Sequence, residues 1–235
     1  MTKATIADAL DAALQQARVM DAPINDRLAV YADALRANLA PFAEAVDRLV
    51  ARLEKAGAGG HAPKIGQTMP PFLLPDVQGK LVDLKGVLND GPAVIAFHRG
   101  HWCPYCQINA RALAEVHDKV LDAGAQIVAI TPERQAFTTQ HTAVAQASYR
   151  ILSDINNGYA LSLNLVIWVG DEMKREMADF GRDLEVYQGN PSWFLPIPAT
   201  FVVKRDGKIA ARFVDPDYRR RMDIDALLDA VARAV

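Results

Sequence analysis

The chain has 235 residues, 51% of them hydrophobic, and a formal net charge of −2 with both signs interspersed. That is apolar material for one core of ordinary size plus an appendage, and the charge offers no pull toward nucleic acid or an anionic membrane. Two cysteines in a single C-x-x-C exclude a disulfide-stapled secreted scaffold. Met1 to Met20 lacks the uninterrupted apolar run of a signal peptide, and no later run reaches membrane-spanning length. The expectation is a soluble cytoplasmic protein, where a lone cysteine pair points to redox or metal chemistry.

In chain order, apolar periodicity predicts a helix over 5–19, with Ile6, Leu10, Leu14 and Ala17 on one face and Thr5 as its N-cap. A second is predicted over about Asp26 to Asn38 through Leu28, Tyr31 and Leu35, and Pro41 opens a third carrying Phe42, Val46, Leu49 and Leu53. Their apolar stripes suit either the main domain or the same segment of a second copy, so a homodimer is compatible with them. The breaker-rich stretch Gly57 to Pro63 marks a boundary, giving an N-terminal helical extension over 1–60 and a main domain over 61–235.

Beyond the boundary, Phe72-Leu73-Leu74 and Leu81 to Leu84 flank Pro75 to Lys80 and predict a hairpin. Ala93 to Phe97 reads as a buried strand, Gly100 breaks it, and from Pro104 the helical positions Tyr105, Ile108, Ala112, Leu113, Val116, Val120 and Leu121 follow. Gln126 to Thr131 suits a central parallel strand, followed by a helix over about Glu133 to Gln146 and a short strand over Arg150 to Asp154. Residues 161–196 read as an elaboration near the site, with a strand at Leu165 to Val169, a helix at Asp171 to Phe180 and a turn at Asn190-Pro191. Ala199 to Lys204 and Ile209 to Val214 flank the hairpin signal Asp206-Gly207, and a closing helix starts at Asp223. The order predicts an α/β fold: a mixed sheet covered on both faces. Arg219-Arg220-Arg221 reads as a solvated surface.

Cys103 falls where a strand ends and a helix begins, and the first turn of a helix carries unpaired N–H groups that favour an anion such as a thiolate. A cysteine so placed can have its pKa lowered from about 8.5 into the range of about 3.5 to 7.5. Cys106, one turn on, is within disulfide reach. The expected roles are Cys103 as nucleophile, nearer the solvent end, and Cys106 as resolving thiol.

The residues also carry a resemblance. Trp102-Cys103-Pro104-Tyr105-Cys106 after a strand, with Ile197-Pro198-Ala199-Thr200-Phe201 before a later one, resembles the thioredoxin fold. Pro71-Phe72-x-Leu74-Pro75-Asp76-x-x-Gly79 and the Asp206-Gly207 hairpin resemble its peroxiredoxin-like branch, the AhpC/TSA group. This similarity covers about residues 61 to 235 and implies a thioredoxin-like central mixed sheet. It also implies a cis Pro198 facing the cysteine pair. Three positions depart from the family: Gly100 stands where it carries threonine or serine, Ala96 where it carries proline, and Pro198 where it carries an arginine. Arg99 and His101 are the candidates for replacement charge and Trp102 for an apolar flank, with plain loop packing as the alternative; His98 reads as structural. Pro104-Tyr105 between the cysteines also resembles glutaredoxins, which use glutathione.

The implied activity is a thiol-dependent reduction of hydroperoxides through a Cys103/Cys106 dithiol–disulfide cycle, with no bound cofactor and no metal, reset by a thioredoxin-like or glutathione reductant. The alternatives are a disulfide reductase with little peroxidase activity, a non-catalytic redox sensor, and a zinc module in which His101 is the nearest further ligand.

Overall fold

The computed structural model of the protein describes residues 3–235. Three helices come first: α1 (Lys3–Val19), α2 (Ile24–Asn38) and α3 (Ala40–Lys55). Pro23 and Pro41 sit at the starts of α2 and α3, where a missing N–H costs nothing. Helix α1 already includes Lys3, so Thr5 lies inside its first turn and is not the expected N-cap.

Strands β1 (Leu73–Pro75) and β2 (Leu81–Asp83) form the expected hairpin, its turn held by the Asp76 carboxylate, which accepts from the Gln78 and Lys80 N–H groups. Asp83 then caps a short helix that periodicity missed, α4 (Leu84–Asn89), by accepting the Gly86 N–H at 2.9 Å. β3 (Ala93–Phe97) leads to α5 (Pro104–Glu115) and α6 (His117–Asp122), two helices where one was predicted. Then come β4 (Gln126–Thr131), α7 (Gln135–Ala145), β5 (Arg150–Ser153) and α8 (Gly158–Ser162). The elaboration holds β6 (Val166–Trp168), α9 (Asp171–Asp179), α10 (Leu184–Gln188) and β7 (Phe194–Pro196). β8 (Ala199–Val203), β9 (Ile209–Val214) and α11 (Ile224–Ala232) close the chain.

The central sheet has the order β5-β4-β3-β8-β9. β3, β4 and β5 are parallel, whereas β8 runs antiparallel to β3 and to β9, with Ile95 opposite Val128 on one side and Phe201 on the other. Alternation along β3 explains why both faces are covered. Ile95 and Phe97 face a core shared with Leu84, Val87 and Tyr159, while Val94 and Ala96 face another shared with Leu113, Val120 and Leu227.

A third core lies over the N-terminal end of α5. Leu14, Leu28, Tyr31, Phe42, Val46 and Leu49 from the first three helices pack there with Trp102, Cys103, Cys106, Met173, Leu184 and Trp193. Each such Leu or Phe side chain, fully buried, stabilises by about 1.5–3 kcal/mol. The apolar stripes that sequence left open to a second copy are therefore used within the chain. Polar ties add direction: Arg27 to Glu115 at 2.8 Å, Arg48 to Glu172 at 2.9 Å, and Arg52 to the Trp168 carbonyl at 2.8 Å. Among the described residues, no helix is long and apolar enough to cross a membrane.

Candidate active site

Strand β3 and helix α5 position the cysteines. After β3 the chain turns through Gly100 at φ 142°, a conformation that side-chain-bearing residues rarely adopt. Cys103 is the N-cap residue of α5, extended at φ −91° and ψ 111°, and its carbonyl accepts the Cys106 N–H at 3.0 Å. Both thiols are free, and both are buried, Cys103 at 1% exposure and Cys106 at 0%. The expectation of a solvent-facing Cys103 is corrected by the structure. The helical extension folds onto this end of α5, with Tyr31 of α2 packed edge-on to Tyr105 at 5.3 Å between ring centroids.

Two guanidiniums stand against the pair. Arg99, in the loop after β3, is 5% exposed and lies 3.7 Å over the Tyr218 ring and 5.0 Å over that of Trp102. Its backbone N–H donates to Cys106 Sγ at 3.3 Å. Arg221, in the loop between β9 and α11, is 2% exposed and donates from Nη2 to the same sulfur at 3.5 Å. The reading of Arg219 to Arg221 as a solvated run is thus overturned: only Arg220 is exposed, and Arg219 bridges Asp217 and Asp47 at 2.8 and 2.7 Å.

These charges split the two thiols. Burial pushes Cys103 up, but the hydrogen bond from Cys106 and the charges of Arg99 and Arg221 outweigh it and lower its pKa to about 5. Burial pushes Cys106 well up, and its hydrogen bond to Cys103 adds to that. At neutral pH the arrangement is one thiolate, Cys103, accepting the proton-bearing thiol of Cys106.

The remaining candidates divide. Trp102 is 9% exposed beside Cys103 and stacks on Tyr187 at 6.3 Å. His101 is bound to a carboxylate that sequence did not single out: its Nδ1 is 2.6 Å from Glu133 Oε1, and its backbone N–H donates to Oε2 at 2.7 Å. Glu133 is fully buried and also accepts from Thr131 Oγ1 at 3.3 Å. Its position after the carboxyl end of a parallel strand, where α/β sites gather, was the available signal. His98 is fully buried in a chain with Asn109 and His141. Asn109 Nδ2 donates to His98 Nε2 at 3.0 Å, so Nδ1 carries the hydrogen and donates to His141 Nε2, also at 3.0 Å.

Pro198 lines a cavity of ≈10 Å³ with Arg99, Tyr218 and Leu49, room for about one water-sized molecule. The expected cis bond is absent: among the described residues every peptide is trans. Ile197 donates to the Leu165 carbonyl at 2.6 Å and Ala199 already pairs with Val214, so extended backbone on both sides is met by the commoner isomer. Also among the described residues, no three His, Cys, Asp or Glu side chains converge as a metal centre requires.

A model of the AhpC/TSA family matches residues 65–212. The thiol-disulfide oxidoreductase ResA of Bacillus thuringiensis (strain Al Hakam) is 21% identical over 160 residues, 68% of this chain and 75% of that protein. Among solved structures, the peroxidoxin BcpB from Mycobacterium tuberculosis aligns with a TM-score of 0.56 at 22% identity, covering 73% of this chain and 97% of its own. Mycobacterium tuberculosis AhpC aligns with a TM-score of 0.54 at 15% identity, covering 72% and 92%. These structural likenesses extend to the fold. Helices α1 to α3 and Arg221 lie outside the matched span.

Proposed function

The chain belongs to the AhpC/TSA family, and on that premise we propose that it reduces hydroperoxides through a dithiol–disulfide cycle of Cys103 and Cys106. The observation that carries this reading is the buried Cys103, held as a thiolate by Arg99, Arg221 and the Cys106 thiol. The Cys103 thiolate attacks one oxygen of ROOH, the O–O bond breaks, and RO⁻ takes up a proton and leaves as ROH. Cys106 then attacks the sulfenic sulfur of Cys103, giving the disulfide and water. An external dithiol such as thioredoxin, or glutathione, returns the pair to its reduced state.

Burial supports the peroxide over a protein disulfide as first substrate. A species of a few atoms reaches a sulfur under a helical cover far more readily than a folded partner does. Arg99, which lines the cavity beside Pro198, is the group we assign to the anion that develops on the leaving oxygen, a role in which one donor is worth about 3 kcal/mol. His101 and Trp102 support the loop that presents it.

A second reading, thiol–disulfide exchange, is favoured by a specific observation. Glu133 fills the space beside Gly100 where the family's hydroxyl would sit, and Pro198 has no side-chain donor. Stopped-flow oxidation by hydrogen peroxide separates the two. The peroxidase reading requires rapid consumption that Cys103→Ser abolishes, while Cys106→Ser stops at the sulfenic acid. Inertness to peroxide with rapid exchange against a small disulfide overturns it in favour of the second.

A further inference from the structure

Arg221 comes from a loop 115 residues beyond Cys106 in sequence, yet its Nη2 stands 3.5 Å from that sulfur. Several contacts hold it there. Nη1 donates to the Tyr218 and Arg220 carbonyls. Its backbone is gripped by Asn25 at the start of α2, whose Oδ1 accepts the Arg221 N–H and whose Nδ2 donates to the Arg221 carbonyl, both at 3.1 Å. Among the described residues no carboxylate lies within salt-bridge distance of Arg221, although its neighbours Arg219 and Arg220 both have one. A buried guanidinium without a carboxylate is costly unless it faces another anion. In the reduced protein that anion is the Cys103 thiolate, while the sulfur that Nη2 itself meets is that of Cys106.

We propose that Arg221 is a catalytic residue for the resolving step, stabilising the thiolate that develops on Cys106 as it attacks Cys103, and that Asn25 is the positioning residue that holds it in place. This rests on the reading of the two cysteines as a redox pair. In the reduced protein the Cys106 proton is shared toward the Cys103 thiolate, and Cys106 cannot attack. Once Cys103 is bonded to oxygen or to a foreign sulfur, its charge is gone and the two guanidiniums have lost their anion. Cys106 then gives up its proton, to the departing hydroxide or thiolate, and its sulfur becomes the anion that Arg221 and the Arg99 N–H already face. The Cys103–Cys106 bond forms and the bond from Cys103 to the leaving group breaks. Arg99, Arg221 and Cys103 are the charged or titratable groups that face Cys106. The site therefore needs no movement of charge-bearing side chains between the two steps.

The test uses the full chain and 2,2′-dithiodipyridine, which makes it independent of peroxide activity. Attack by Cys103 releases one pyridinethione, and resolution by Cys106 releases a second, so the two steps appear as two phases. Arg221→Met is expected to slow the second phase at pH 7 by about tenfold or more and move its pH midpoint upward. The first phase, where Arg221 shares the Cys103 thiolate with Arg99 and the Cys106 thiol, is expected to slow as well, but by a smaller factor, so that the ratio of second-phase to first-phase rate falls. Arg221→Lys, which keeps the charge but not the fork to the Tyr218 and Arg220 carbonyls, is expected to restore most of that rate. Asn25→Ala is expected to slow the second phase by a smaller factor, and it decides the matter if the methionine variant fails to fold. An unchanged second phase in Arg221→Met or Asn25→Ala, or a lysine variant as slow as the methionine one, overturns the assignment.

Discussion

The carboxylate of Glu133 occupies the space that a side chain on Gly100 would need: a Cβ there would lie 2.6 Å from both Glu133 Cδ and Oε1, and 2.6 Å from Trp102 Nε1. Gly100 also sits at φ 142°. Glu133, bound to both the backbone and the ring of His101, has no open solvent to retreat into. Gly100→Thr, which places a hydroxyl-bearing side chain there, is therefore expected to lower stability by about 2–4 kcal/mol, from strain and overpacking together. It is also expected to reduce Cys103 reactivity rather than raise it. Urea unfolding midpoints and iodoacetamide labelling rates measure the two effects, and a stable, more reactive variant would contradict this account.

The pH dependence of the reduced protein follows from Cys103. Its pKa is lowered to about 5 in the fold, below the value of about 8.5 of an unstructured cysteine. Between these values the unfolded chain holds a proton that the folded one does not. The contribution to stability is complete above about pH 8.5 and is lost progressively as pH falls to about 5, at up to about 1.4 kcal/mol per pH unit. Alkylation of Cys103 by iodoacetamide should show a midpoint near pH 5, and Arg99→Met should move it upward. A midpoint near that of free cysteine would remove the thiolate from the mechanism.

Tyr31 is a part of the helical cover, packed on the turn that carries the pair, that a single substitution can open. It is 2% exposed, and its ring meets Tyr105, which lies between the two cysteines. Tyr31→Ala is expected to destabilise by about 3 kcal/mol, in line with other aromatic truncations in cores. Where the variant remains folded, labelling of Cys103 by a bulky maleimide should rise by about tenfold relative to labelling by iodoacetamide, as expected when an opening, rather than thiolate chemistry, limits access. Equal gains for both reagents would instead mean a change in Cys103 itself.

The His98–His141 pair predicts an acid limb. Burial holds His98 well below its ordinary value and His141 down at about 3. The unfolded histidines take up protons near pH 6.5, so their stabilising contribution is full above that pH and declines as pH falls toward about 3. Each can account for up to about 1.4 kcal/mol per pH unit in that window. Urea titrations at pH 7, 6, 5 and 4 should show a shallower loss for His141→Gln than for the wild type. Parallel losses would assign the acid limb to other groups.

The local architecture was legible in the chain because it depends on neighbours a few positions apart. The apolar run Ala93 to Phe97, the break at Gly100, and Pro104 at the first turn determined a strand–turn–helix with Cys103 at the helix start and Cys106 one turn on. Asp206-Gly207 determined the closing hairpin, and Asp223 the last helix, whose cap it forms by accepting the Asp225 and Ala226 N–H groups. Short elements such as α4 and α10 escaped because six and five residues are too few to show a period.

Only the tertiary structure decided the environment of the sulfur. Burial and electrostatics sum over groups remote in sequence: Tyr31 from the first helices, Glu133 from the end of β4, Arg221 from a loop near the chain's end. A basic triplet such as Arg219-Arg220-Arg221 carries no mark of which member turns inward, since that depends on where Asn25 and Asp47 come to lie. The residue types specify the chemistry a cysteine pair can do. The fold fixes which thiol is charged, what covers it, and which cation it faces, because each of those is set by distance in space and not along the chain.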